Sequence, residues 1–284
     1  MKKLIYLSSI SFMLLLVSCD MNDKNVGRLD SEDPQSGWVQ FDDELVGAEV
    51  TTVYGAVDAI SLPVKLYAPV NKDGLEVSYT ITDVVGNSSA IVPERTGIVE
   101  IKKNTVGNVV VVGDLVININ PDAGLESNVE FDVTLTGTNR SNVEVGLSDN
   151  SKPVVVRIKI CAYNIGTTYG GTAVSSTGFN GPAYNVTLVP VAGTTNEFTT
   201  TSAWGPLFVP TLCACPVVRD YPVKITINED FTVTVVNNHP TIPSTQYIGG
   251  SGTYDPCTDT FNIILQQGIF TNPFTVNVVW SPAS

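Results

Sequence analysis

Phe131-Asp132-Val133-Thr134-Leu135 decides the fold class. Apolar and polar side chains alternate with a period of two, so an extended segment here turns one apolar face inward and one polar face to water. Val154-Val155-Val156-Arg157-Ile158-Lys159-Ile160 repeats the pattern, with Val154, Val156, Ile158 and Ile160 facing in and Arg157 and Lys159 facing out. Working toward the N-terminus, similar runs occur at Trp38–Phe41, Ile60–Leu66, Leu75–Ile81, Ile98–Ile101 and Leu115–Ile119. Turn phrases separate them: Asn71-Lys72-Asp73-Gly74, Gly86-Asn87, Asn120-Pro121-Asp122-Ala123-Gly124 and Thr138-Asn139. About seven half-buried strands over about 120 residues predict an antiparallel sandwich over residues 37–160.

The second half reads differently. Of the charged side chains, 22 acidic and 11 basic ones fall between Cys19 and Ile160, and only six and two from Cys161 onward. Composition therefore shifts near residue 160, and residues 161–284 are expected to form a second domain, an antiparallel β-barrel or sandwich. Its strands are predicted at Tyr184–Val189, Val223–Ile227, Phe231–Val235, Phe261–Leu265 and Phe274–Trp280, with Asn228-Glu229-Asp230 as a hairpin turn. After residue 20, apolar residues nowhere recur at three and four over ten positions. Almost no helix is expected, and the fold class is all-β. The net charge of −13 argues against nucleic acid as a partner, because that needs basic stripes.

The N-terminus reads as an address. Lys2 and Lys3 precede Leu4–Val17, a run of 14 mostly apolar residues that ends at small Ser18. This is the layout of a secretory signal over residues 1–18. A spanning helix needs about 18 or more apolar residues, so the run is short for a transmembrane segment. Leu16-Val17-Ser18-Cys19 resembles the bacterial lipobox. The resemblance implies lipidation of the Cys19 sulfur, cleavage before it and anchoring of the chain to a membrane. Asp20 resembles an inner-membrane retention signal; Asp23 and Lys24 resemble a surface-export signal. The outer membrane, at the cell surface, is the expected location. Residues 19–36 are polar and acidic without apolar periodicity, and predict a flexible tether.

Two further resemblances follow. The order Phe41, then Ile60-x-Leu62-x-Val64-x-Leu66, then Val77-x-Tyr79-x-Ile81 is similar to Calx-beta domains. So is Ile117-x-Ile119-Asn120-x-Asp122, continuing through Glu126 to Glu130-Phe131-x-Val133-x-Leu135. It covers residues 37–160. Some Calx-beta domains bind Ca²⁺ through loop carboxylates, and here Asp122, Glu126 and Glu130 match the late acidic cluster. Ca²⁺ is the one cofactor implied. The family's early Glu is missing; Tyr54 and Gly55 sit near its place. Cys161 and the phrase Gly252-Thr253-Tyr254-Asp255-Pro256-Cys257 resemble a barrel-like module of lipoproteins found beside glycan-uptake complexes of the outer membrane.

Beyond Cys19 the cysteines are Cys161, Cys213, Cys215 and Cys257. An exported chain with an even count favours disulfides. A Cys213–Cys215 bond closes a very small ring. That leaves two patterns: Cys161 and Cys257 each bonded to one of the central pair, or Cys161–Cys257 with the central pair joined or free. Cys213, Cys215, Cys257 and His239 also have the residue types of a zinc site, which disulfides would pre-empt. His239 is the only histidine, and it sits in the loop phrase Asn237-Asn238-His239-Pro240 without a Gly-x-Ser-x-Gly elbow. No catalytic set emerges. Trp204, Tyr247 and Tyr254 lie in Gly- and Pro-rich stretches. Loop aromatics can stack on sugar rings or anchor a partner; the alternative is that Trp204 plugs the end of a barrel core. Trp38 and Trp280 read as core. The expected function is a non-catalytic, ligand-binding accessory of an outer-membrane uptake system, with glycan as the ligand. The alternative is a structural or adhesive lipoprotein that binds another protein.

Overall fold

The computed structural model describes residues 33–107, 110–147 and 154–283. The signal segment, Cys19 and residues 20–32 of the tether lie outside the described residues. The chain divides into two compact units. One runs to Gly124 and from Asn128 to Ile160; the other takes in Cys161 onward together with Leu125–Ser127.

The first unit contains nine strands: β1 Gly37–Phe41, β2 Glu49–Val53, β3 Ala59–Tyr67, β4 Leu75–Val85, β5 Thr96–Ile101, β6 Val111–Asn118, β7 Val129–Thr138, β8 Val143–Val145 and β9 Val154–Cys161. They make two sheets, ordered β6-β3-β1-β8 and β2-β9-β7-β4-β5. The alternating residues point where their chemistry requires. Phe131, Val133, Val154, Val156, Ile158 and Ile160 are at most 1% exposed. Burying such a side chain contributes roughly 1.5–3 kcal/mol. On the opposite face the β7–β9 register sets Asp132 across from Arg157 and Glu130 across from Lys159. Arg157 grips Asp132 with two bonds, Nε to Oδ1 at 2.9 Å and Nη2 to Oδ2 at 3.1 Å. Trp38 is core, stacked on Tyr67 at 4.9 Å.

Among the described residues of this unit, two strands were not legible in the sequence. Strand β2 has no buried side chain, so it carries no in-out alternation. Strand β8 is three residues long and pairs parallel to β1. The last residues of the expected tether are instead held by the sandwich. Residues 33–36 are bound to the sandwich: Pro34 O accepts from Val70 N at 2.9 Å, and Asp33 Oδ2 accepts from Asn142 Nδ2 at 2.6 Å. Arg140 donates through Nη2 to Gln35 O and through Nη1 to Oδ1 of the fully buried Asn71 at 2.7 Å.

The second unit is built from β10 Thr168–Ser175, β11 Tyr184–Thr187, β12 Val189–Pro190, β13 Glu197–Thr200, β14 Val223–Ile227, β15 Thr232–Asn237, β16 Tyr247–Asp255, β17 Thr260–Gln267 and β18 Thr275–Pro282. Their order is β11-β10-β18-β17-β16-β15-β14-β13-β12. The two outermost strands, β11 and β12, are consecutive in the chain and separated only by Leu188. The sheet therefore returns on itself: the first part of this segment pairs with β10 and the second with β13. This is a nearly closed antiparallel barrel. Its interior holds Tyr169, Trp204, Phe208, Tyr221, Phe261 and Trp280, each at most 1% exposed.

Among the described residues there is one short helix, α1 at Phe208–Cys213, in keeping with the expectation of almost no helix. Pro210 is tolerated there because the first helical N–H groups have no intrahelical partner. The helix stops at Ala214, which adopts the left-handed conformation at φ 50° and donates its N–H to Pro210 O.

Candidate functional site

The aromatic set proposed for ligand contact is not on the surface. Trp204 is fully buried, and Tyr247 and Tyr254 are 1% and 2% exposed. Trp204 stacks on Phe208 with centroids 5.2 Å apart and meets Tyr221 edge-on at 4.6 Å. Its indole Nε1 donates to Arg219 O at 2.8 Å. The Gly-rich sequence around these residues reflects close packing rather than exposure. Gly205 has φ +81°, and a Cβ on it would lie 2.5 Å from the Tyr184 ring. A Cβ on Gly252 would lie 2.0 Å from Asn262 O, so β16 can run beside β17 there only with glycine. Tyr247 and Tyr254 occupy the two ends of that strand and point into the barrel. Of the two readings of Trp204, the structure selects the core plug.

The hydroxyls of Tyr169, Tyr184, Tyr221 and Tyr254 are hydrogen-bonded within this core. Tyr254 and Tyr169 both donate to Oδ1 of Asp259, at 2.9 and 2.7 Å, and Gly166 N donates to its Oδ2 at 3.3 Å. Asp259 reaches them because its backbone is left-handed, at φ 48°. Tyr221 accepts from Gly249 N at 2.8 Å and donates to Gln266 O. Burial pushes the Tyr221 hydroxyl up to about 12, and burial likewise raises Tyr169, Tyr184 and Tyr254. Asp259 was not singled out from sequence; its only signal was the turn phrase Asp255-Pro256-Cys257-Thr258-Asp259.

The four cysteines pair as Cys161–Cys257 and Cys213–Cys215, with Cα separations of 4.9 and 5.2 Å. The pattern that joins the outer cysteines to the central pair does not form. The left-handed Ala214 turns the chain between Cys213 and Cys215 so that their side chains meet. With every sulfur of this unit in a disulfide, the zinc reading is overturned as well. His239 caps a turn: its Nδ1 accepts from Ile242 N at 2.9 Å and from Thr241 N at 3.2 Å.

The carboxylates matched to a Ca²⁺ site are not brought together. Asp122 and Glu126 are exposed, and Glu130 lies on the outer face of β7, 3.6 Å from Lys159 Nζ. The loop of Asp122 is instead pinned by Tyr54, whose hydroxyl donates to Asn120 O at 2.8 Å and accepts from Gly124 N at 3.0 Å. A phenol thus stands near where the resemblance places an acid. Among the described residues no group of three or more His, Cys, Asp or Glu side chains is placed to hold a metal ion.

A polar cluster that the sequence did not reveal joins Asp83, Ser88 and Arg95. Asp83 Oδ1 accepts from Ser88 N at 3.2 Å and from Arg95 Nη2 at 2.9 Å. Burial works to raise the Asp83 carboxyl, but bonds from Ser88 and Arg95 outweigh it and hold it below the usual range. The grooves described on the surface are open. One runs past Leu135, Gly137, Arg140 and Val154; another lies over the outward Ile264 and Val279.

The chain is thus an all-β protein in which a mostly antiparallel sandwich precedes a nearly closed, aromatic-filled barrel. No family model matches it, and no curated protein matches it. Among solved structures it is similar to the apo form of the Calx CBD1 domain, at 14% identity and TM-score 0.34, over 45% of this chain and 97% of that one. It is also similar to CBD12 from CALX1.2, at 11% identity and TM-score 0.34, over 87% of this chain and 75% of that one. The calcium-binding domain CBD12 of CALX1.1 gives 11% identity and TM-score 0.35, covering 82% of both chains. The likeness is one of β-sheet architecture alone.

Proposed function

We propose that the protein is a non-catalytic lipoprotein, anchored through Cys19 at the outer membrane and exposed at the cell surface, that works by binding another protein over its outer surface. The observation that carries this reading is the filled barrel. Trp204, Tyr221, Tyr247 and Trp280 occupy the interior, which leaves recognition to the outside of the sheets. The sandwich offers such a surface. Its edge strands β5 and β6 carry Ile98, Val112 and Val116, which are 60%, 48% and 47% exposed. Apolar side chains on unpaired strand edges are suited to protein contact.

The glycan reading keeps its basis in the resemblance of the second half, but Trp204, Tyr247 and Tyr254 no longer serve as its contact residues. The test is co-purification after gentle detergent extraction. The expected result is a stoichiometric protein partner that is lost when Ile98, Val112 and Val116 are replaced together by Thr. Glycan-array binding by the free monomer, with no protein partner retained, would overturn the proposal.

A further inference from the structure

The two disulfides differ in ring size and in the exposure of their most accessible sulfur, Cys213 being exposed and Cys257 half-buried. Cys161 is fully buried, and its bond to Cys257 spans a sequence separation of 96. A link of that length removes much freedom from the unfolded chain, so the folded barrel favours the bond strongly. Cys213–Cys215 spans a separation of 2 and restrains almost nothing beyond its own turn. It is also reachable: Cys213 is exposed and Cys215 half-buried. The single residue between them, Ala214, is held left-handed at φ 50°, a conformation that L-residues other than glycine adopt at a cost.

The chain around the pair carries little charge: from Phe198 to Asp220 only Arg219 and Asp220 are charged. Leu207, Val217 and Val218, which flank the pair along the chain, are 55%, 46% and 56% exposed. Cys213 Sγ lies 3.1 Å from Val209 O, so a thiol released there has an acceptor already in place.

We propose that Cys213–Cys215 is a thiol–disulfide exchange site whose substrate is a dithiol reductant, while Cys161–Cys257 remains a structural link. A thiolate of the dithiol attacks Cys213 Sγ. A bond forms between the two sulfurs, the Cys213–Cys215 bond breaks, and its electron pair leaves on Cys215 Sγ, which takes a proton from water. The second thiol of the reductant, deprotonated, then attacks its own sulfur in the mixed disulfide. Cys213 departs as thiolate and is protonated. The dithiol is oxidised to a disulfide, and the protein gains two electrons and two protons.

Titration of the full folded chain with dithiothreitol, followed by acid quench, alkylation and peptide mass spectrometry, tests the site. Half-reduction of Cys213 and Cys215 is expected at a concentration about tenfold or more below that needed for Cys161 and Cys257, with the circular dichroism spectrum unchanged. Simultaneous reduction of both bonds, or earlier reduction of Cys161–Cys257, would sink the proposal. The direction of attack is tested with oxidised glutathione. Cys215→Ser is expected to form its adduct on Cys213 about tenfold faster than Cys213→Ser forms one on Cys215. Equal or reversed rates overturn Cys213 as the attacked sulfur.

Discussion

The sandwich and the barrel solve the same problem by different means. The sandwich core is mainly aliphatic, and its outer faces carry ion pairs: Lys65–Asp42, Arg95–Asp83, Arg157–Asp132 and Lys159–Glu130. In the barrel a single pair, Lys224–Glu197, is recorded among the described residues. The barrel relies on large aromatic side chains, on hydroxyls hydrogen-bonded inside the core, and on disulfides. An aliphatic core tolerates small repacking, whereas interlocked rings do not. The barrel should therefore be the less forgiving half of the molecule.

That contrast can be broken. The largest effect is expected from Trp204→Ala, which removes a fully buried indole in contact with Phe208 and Tyr221. A loss of about 3–5 kcal/mol is expected in urea unfolding. A loss under 1 kcal/mol would mean that the barrel repacks as freely as the sandwich. Next comes the double change Cys161→Ser with Cys257→Ser. Removing a link across a separation of 96 should cost about 2–5 kcal/mol, read as a lower urea midpoint for the barrel. An unchanged midpoint would show that the aromatic core alone holds the barrel.

The third test is pH. Tyr169, Tyr184, Tyr221 and Tyr254 keep their protons in the folded barrel to higher pH than in the unfolded chain, because burial disfavours the phenolate. Barrel stability is then complete below the ordinary value of 10.0 and falls as pH rises toward the Tyr221 value of about 12. At the acid end, hydrogen bonds from Asn142 and Lys65 hold Asp33 and Asp42 below the usual 3.8, and Asp83 is also lowered. Their contribution is present above about pH 4 and lost as pH falls through the lowered values. Trp38 reports the sandwich, and Trp204 with Trp280 the barrel, in tryptophan variants followed by fluorescence. The barrel should unfold first in alkali; an alkaline transition that starts in the sandwich would reverse the comparison. The smallest effect is expected from Arg157→Gln, where the exposed pair leaves the thermal midpoint nearly unchanged.

Most of the sandwich was legible because half-buried strands leave a two-residue period, as in Phe131–Leu135 and Val154–Ile160. What escaped had no such period. Strand β2 has no inward face, and β16 hides behind Gly249, Gly250 and Gly252, which read as loop but are required where neighbouring backbone lies close. Helix α1 has six residues, too few for a repeat to show. The site was less legible than the fold. Residue type drew attention to the aromatics, which the structure buries in the core and not at a ligand surface, and to the cysteines, which pair. Spacing could not tell a ring in a loop from a ring in a core, nor say that Cys213 would meet Cys215. That depended on one left-handed alanine.

The clamp that holds Asp33–Ser36 also decides how the molecule bears load. Chain tension arriving from the N-terminal side meets Arg140, Asn142 and Val70 before it reaches β1. That strand lies between β3 and β8, and a pull along it strains both rows of hydrogen bonds together instead of peeling them one by one. Tension from that end is therefore spread along the strand instead of opening it from one edge.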